Sequence, residues 1–221
     1  MRTKTCMAVL IGCLAATGEA AAQNYCELER IHYRAAGDGV TADFTSVDTT
    51  TCASGIETTV HVDASLGDIH IADVCGHGST SVTDTTDSVS NIVSVVIGVY
   101  DRCLGTSVRS ITGTGVADEL HVNPSRKAAS LRAALTGTDE SDQSVSLAID
   151  LVWDGVGRKE LSRDHVTLNE GIFRLVWSSS GLIRSAVAAG SVVLDGTDVT
   201  PLRSTRGTIE KDATRELDVY R

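Results

Sequence analysis

Residues 145–153, VSLAIDLVW, alternate strictly along the chain. Val145, Leu147, Ile149, Leu151 and Trp153 fall on one side, and Ser146, Ala148 and Asp150 on the other. A period of two over nine residues predicts an extended strand with one buried face, since a helix would repeat every 3.6 residues. The stretch before it, residues 126–136, has a composition that suits a helix. Yet Ala129, Leu131, Ala133 and Leu135 alternate too, so it is read as the hairpin partner of 145–153.

Similar segments recur from the start. Residues 25–33 and 40–47 flank Gly37-Asp38-Gly39 and read as a hairpin, since Asp-Gly between alternating runs is a turn signal. Within residues 57–74, pairing Val62 with Ile69 and Val60 with Ile71 predicts a second hairpin around a loop at 64–67. Residues 75–90 are rich in Gly, Ser, Thr and Asp and read as a long surface loop. The apolar run 92–100 fits a strand buried on both faces. After Trp153, Asp154-Gly155 is expected to turn the chain. Strands then follow at 158–169, 173–178, 182–194, 207–209 and 216–220. About ten strands with little helix predict an all-β fold, an antiparallel β-sandwich or partly open barrel.

The first 22 residues change where this fold is expected to sit. Arg2 and Lys4 precede an apolar run from Cys6, and Ala20-Ala21-Ala22 offers a small-residue cleavage site, so residues 1–22 read as an export signal. Residues 23–221 are then one domain, secreted or periplasmic. No later run reaches the roughly 20 residues a transmembrane helix needs. Leu10-Ile11-Gly12-Cys13 has the form of a bacterial lipoprotein cleavage box, which makes a lipid anchor at Cys13 the alternative.

Beyond the signal stand four cysteines, Cys26, Cys52, Cys75 and Cys103, an even set that predicts disulfides in an exported chain. Sequential pairing, Cys26–Cys52 and Cys75–Cys103, is expected because each pair brackets one compact stretch. No Cys-x-x-Cys knuckle suggests zinc. With 29 acidic against 19 basic residues the net charge is −10, and no run of Lys and Arg stands out. That balance argues against nucleic acid and anionic membrane surfaces.

The second predicted hairpin would gather His61, Asp63, Asp68 and His70 on one face, where imidazole and carboxylate could hold zinc or copper. A solvated polar face is favoured instead, so no metal or cofactor is assigned. No Gly-x-Ser-x-Gly elbow, phosphate loop or dinucleotide fingerprint occurs, and no catalytic residue is nominated. Residues 121–127 and 39–43 resemble phrases of copper–zinc superoxide dismutases, but in reversed order and without a His-x-His ligand pair, so that reading is set aside. The penultimate Tyr220 resembles the last strand of chaperone–usher pilus subunits, although Asp218, Glu216 and Thr214 stand where that family has apolar residues. The favoured reading is a non-catalytic binding or surface-interaction module, with carbohydrate or another surface protein as partner. A hydrolase or metal-dependent enzyme is the alternative, and a pilus-like assembly subunit a lesser one.

Overall fold

The computed structural model describes residues 28–77, 80–201 and 203–220. The expected signal, Cys13 and Cys26 lie outside them. The described residues form ten strands and no helix: β1 (Leu28–Asp48), β2 (Ile56–His77), β3 (Thr80–Asp101), β4 (Thr106–Gly115), β5 (Glu119–Val122), β6 (Ala128–Asp139), β7 (Ser144–Glu170), β8 (Phe173–Leu194), β9 (Thr197–Asp198) and β10 (Arg206–Tyr220). All pair antiparallel in one sheet. Its order β10-β1-β2-β3-β4-β6-β7-β8 returns to β10, so the pairings run in a ring, with β5 beside β6 and β9 beside β8. The expected antiparallel all-β fold of about ten strands is what the chain adopts. No helix is long and apolar enough to cross a membrane.

The strand at 145–153 behaves as its alternation predicts. Val145, Leu147, Ile149, Leu151 and Trp153 are buried and the residues between them exposed. Ile149 lies opposite Ala133 on β6 and Val192 on β8, so residues 128–136 are indeed its strand partner. The core continues through Val40, Ala42 and Phe44, then Val60, Val62, Val93, Val95 and Ile97. The Trp153 indole N–H donates to the Thr41 carbonyl at 2.7 Å, which satisfies the one polar atom this large side chain buries. The ring is thinnest between β4 and β6, where only Ile111–Gly113 meet Gly137–Asp139. Glycine is needed there: a Cβ on Gly113 would stand 2.6 Å from Leu147 Cδ1, and one on Gly137 2.8 Å from the Thr112 carbonyl oxygen.

Four predicted turns or loops are strand instead. β1 runs unbroken through Gly37-Asp38-Gly39, because Asp38 is held by a distant partner: Arg126 Nη2 donates to its Oδ1 at 2.6 Å. β2 runs through 64–67, and Val62 pairs with Ala42 and Val95 rather than Ile69. Residues 80–90 are the first half of β3, where β-branched Thr and Val suit a ladder better than a loop. β7 passes Asp154-Gly155 with a register shift between Gly155 and Lys159 and continues to Glu170. Residues 92–100 bury only one face. Val93, Val95 and Ile97 are inside, while Ile92 and Val96 are exposed.

The sequential disulfides are also overturned. Cys52 bonds Cys103, joining the two loops at one end of β2 and β3. Cys75 is disulfide-bonded as well. It stands 19 residues along β2 from Ile56, which faces Asp101 beside Cys103. At about 3.3 Å per residue that is roughly 60 Å, far beyond the reach of Cys103.

These long strands create the second half of the molecule. β4 and β6 end where the apolar core ends, but β1, β2, β3, β7, β8 and β10 run on. Six strands therefore extend beyond the ring in the order β3-β2-β1-β10-β8-β7.

Candidate functional site

Directly opposed residues share a face, so the registers sort every side chain of the six-stranded extension onto one of two sides. One side continues the face that is buried in the core. On β1 it carries Arg30, His32 and Arg34; on β2, His70; on β10, Lys211 and Arg215; on β8, Arg174 and Arg184; on β7, Lys159, Arg163 and His165. The other side carries Glu29, Asp73, Asp84, Glu160, Asp164, Glu170, Asp212, Glu216 and Asp218, and no Lys or Arg among its paired residues, Arg158 standing at the register shift of β7. Charge is segregated by face.

The basic face is built by alternation. Arg30, His32 and Arg34 are every second residue of β1, which places them about 6.6 Å apart in a line. The β1–β10 pairing sets Arg34 directly opposite Arg215. Ser178 follows on β8 and His165 on β7, while His70 lies on the other flank of Arg34. Opposed side chains in such a pair have Cβ atoms about 5 Å apart, and like charges there repel. Carboxylates do not relieve them. Of the three on this face, Asp38 holds Arg126, Asp87 accepts from His70 Nδ1 at 2.5 Å, and Asp68 faces Ala36 and Val89. Among the described residues no ion pair joins Arg30, Arg34, Arg163, Arg174 or Arg215. Elsewhere Arg102, Arg109, Arg126 and Arg132 meet a carboxylate, while among the described residues Arg203 and Arg206 have no ion pair.

Recesses open along this face. One of about 390 Å³ is lined by Arg163, His165, Ser178, Ser180 and Arg215, with Asp164 of the other face at its margin. Another of about 220 Å³ adjoins His32, Arg34 and Arg215, and a third of about 410 Å³ adjoins Arg30, His32, Asn169 and Arg174. Exposed guanidinium forks beside serine hydroxyls can take carboxylate, sulfate or phosphate oxygens by bidentate hydrogen bonds.

The opposite face is apolar along its middle and acidic around it. Ile31, Tyr33, Ile69, Leu175 and Trp177 are half-buried against one another's strands, and Phe173 packs against Tyr220 with ring centroids 5.1 Å apart and planes tilted by 41°. Burial, reinforced by the charge of Asp218, raises the Glu216 carboxyl above its usual range, and burial raises Asp218 too. Tyr220 is also raised, by burial first and then by Asp218, Glu29 and Glu216. Gly37 and Gly67 face each other here; a Cβ on Gly37 would stand 3.1 Å from the Leu66 carbonyl oxygen. The missing side chains leave a recess of about 440 Å³ beside Asp63, Glu210 and Asp212.

The predicted metal constellation is dispersed. His61 and Asp63 lie on one face of β2, Asp68 and His70 on the other, and His61 is roughly 30 Å from His70 at strand rise. Each imidazole has its own carboxylate: His61 Nδ1 meets Asp43 at 2.6 Å and His70 meets Asp87. Asp101 lies close to Cys52 and Cys103, but sulfurs joined in a disulfide offer no thiolate to a metal. The basic face escaped sequence reasoning because no two of its arginines are neighbours in the chain. Its one local signal was the Arg30, His32, Arg34 alternation. No protein-family model, curated protein or solved structure matches the chain.

Proposed function

We propose that this protein is a non-catalytic binding module that holds an acidic polysaccharide on the arginine-lined face of its six-stranded extension. The observation that carries the reading is Arg34 set directly opposite Arg215 with no carboxylate to relieve either. Two directly opposed cations repel, and an anion bridging them would turn that repulsion into binding. The premise that the chain lacks a basic stripe fails once the strands are paired.

Aromatic placement favours a polysaccharide over single-stranded nucleic acid. Readers of unpaired bases stack them on aromatic rings within the basic groove. Here Tyr33, Phe173, Trp177 and Tyr220 all lie on the acidic face. Binding is favoured over glycoside hydrolysis, which needs two facing carboxylates, because the three on the arginine face are scattered: Asp38 holds Arg126, Asp87 meets His70, and Asp68 lies between Ala36 and Val89. The Cys52–Cys103 disulfide supports an oxidising location, so we place the encounter in the periplasm or outside the cell.

A panel of sulfated, uronate and neutral polysaccharides, with single- and double-stranded DNA of matched charge, tests the reading. The sulfated or uronate polymers should bind at low salt, and Arg34→Ala with Arg215→Ala should weaken them at least tenfold. Equal binding by the double variant, or preference for DNA, would overturn it.

A further inference from the structure

The extension ends in two free edges, and they differ. β4 reaches β3 only from Val93 onward, so among the described residues 80–90 pair with β2 on one side and with nothing on the other. This edge is TSVTDTTDSVS, without Pro, Lys or Arg, and with Val82 67% and Val89 70% exposed. Unpaired backbone N–H and C=O groups along a β-prone edge are a template for another strand. The opposite edge, residues 158–170 of β7, carries Arg158, Lys159, Glu160, Arg163, Asp164 and Glu170, the charges that commonly guard an edge.

We propose that the 80–90 edge pairs antiparallel with the same edge of a second copy, about a dyad at Thr85. The register follows from the sequence. A sheet continuous across a dyad keeps like faces together, so odd residues must meet odd and even must meet even. Pairing residue 80 with 90 uses the whole free edge and puts Thr85 opposite itself. Asp84 then faces Thr86, Asp87 faces Thr83 and Val82 faces Ser88. Moving the dyad to Asp84 or Asp87 would set an aspartate against its own copy. In the chosen register each aspartate meets a hydroxyl, and Asp87 is already held by His70 of its own chain. The product is a twelve-stranded sheet with both arginine faces on one side. The inference rests on edge geometry alone, not on the polysaccharide reading.

Sedimentation velocity of the full chain from 1 to 100 µM, without polymer, tests it. A reversible dimer is expected. Thr85→Lys, which puts lysine against lysine at an exposed position, should raise the dissociation constant at least tenfold. Thr85→Cys should give covalent dimers under mild oxidation. Thr83→Cys should not, since its two copies would stand four residues apart, roughly 13 Å. A wild-type monomer throughout, a dimer indifferent to Thr85→Lys, or cross-linking at Thr83→Cys as readily as at Thr85→Cys would each overturn the proposal. The polysaccharide reading is judged separately, by polymer binding of the Arg34→Ala, Arg215→Ala variant, whichever of these results is obtained.

Discussion

Replacing Arg215 by glutamate should make the protein more stable and its ligand affinity worse. In the native sheet Arg215 faces Arg34 across the β1–β10 ladder, with Ser178 on its other side. At the roughly 5–6 Å Cβ spacing of a ladder pair two unit charges at aqueous dielectric repel by about 0.7 kcal/mol, an upper figure because the long side chains can splay apart. Both side chains are exposed, so salt and solvent reduce this further. Arg215→Glu turns repulsion into attraction of similar size, a net gain of about 0.5–1 kcal/mol. For a chain of this length that corresponds to roughly 1–4 °C in Tm. The measurement is scanning calorimetry at low and high salt, with polymer titration on the same samples. The expected result is a small Tm increase that fades with salt, together with at least a tenfold affinity loss. A purely structural arginine would behave differently: the variant would lose Tm while its polymer binding stayed unchanged. That outcome would refute the reasoning.

Ile149→Ala, buried between Ala133 and Val192, should cost about 2–5 kcal/mol by urea denaturation, whereas a surface-like loss under about half a kcal/mol would mean the packing is wrong. The raised carboxyls of Glu216 and Asp218 bind protons more tightly folded than unfolded, so stability should increase as pH falls from neutral towards their unfolded values and be lost as pH rises through the folded ones. Tryptophan fluorescence (Trp153 and Trp177) during urea unfolding at pH 7 and pH 5 checks the sign, and Asp218→Asn should remove part of the dependence. Peptide mapping without reduction should yield Cys52 linked to Cys103, and Cys75 linked to Cys26, the remaining cysteine after the expected signal.

Legibility in the sequence followed burial. Residues 145–153 could be read because two buried neighbours, β6 and β8, impose apolar character on every second residue. In the extension neither face is fully buried, so alternation there is between charged and half-apolar residues, and turn signals looked stronger than strand signals. Asp38-Gly39 has the composition of a hairpin turn, yet Arg126, 88 residues away, holds Asp38 within a strand. The threonine-rich 80–90 segment resembled a loop because its edge has no neighbour to demand apolar residues. The arginine face was hidden by chain order. Arg34 and Arg215 belong to the two end regions of the chain and become neighbours only when β10 closes against β1. Composition fared worse still, since a net charge of −10 conceals two faces of opposite sign.

The central claim is met most directly by titrating a sulfated polysaccharide into the full chain at salt concentrations from 50 to 300 mM. Saturable binding should weaken steeply and linearly in log–log terms as counterions compete. The Arg34→Ala, Arg215→Ala variant should show both lower affinity and a shallower slope. Absence of binding at 50 mM salt, or an affinity and slope that the double variant leaves unchanged, would contradict the account.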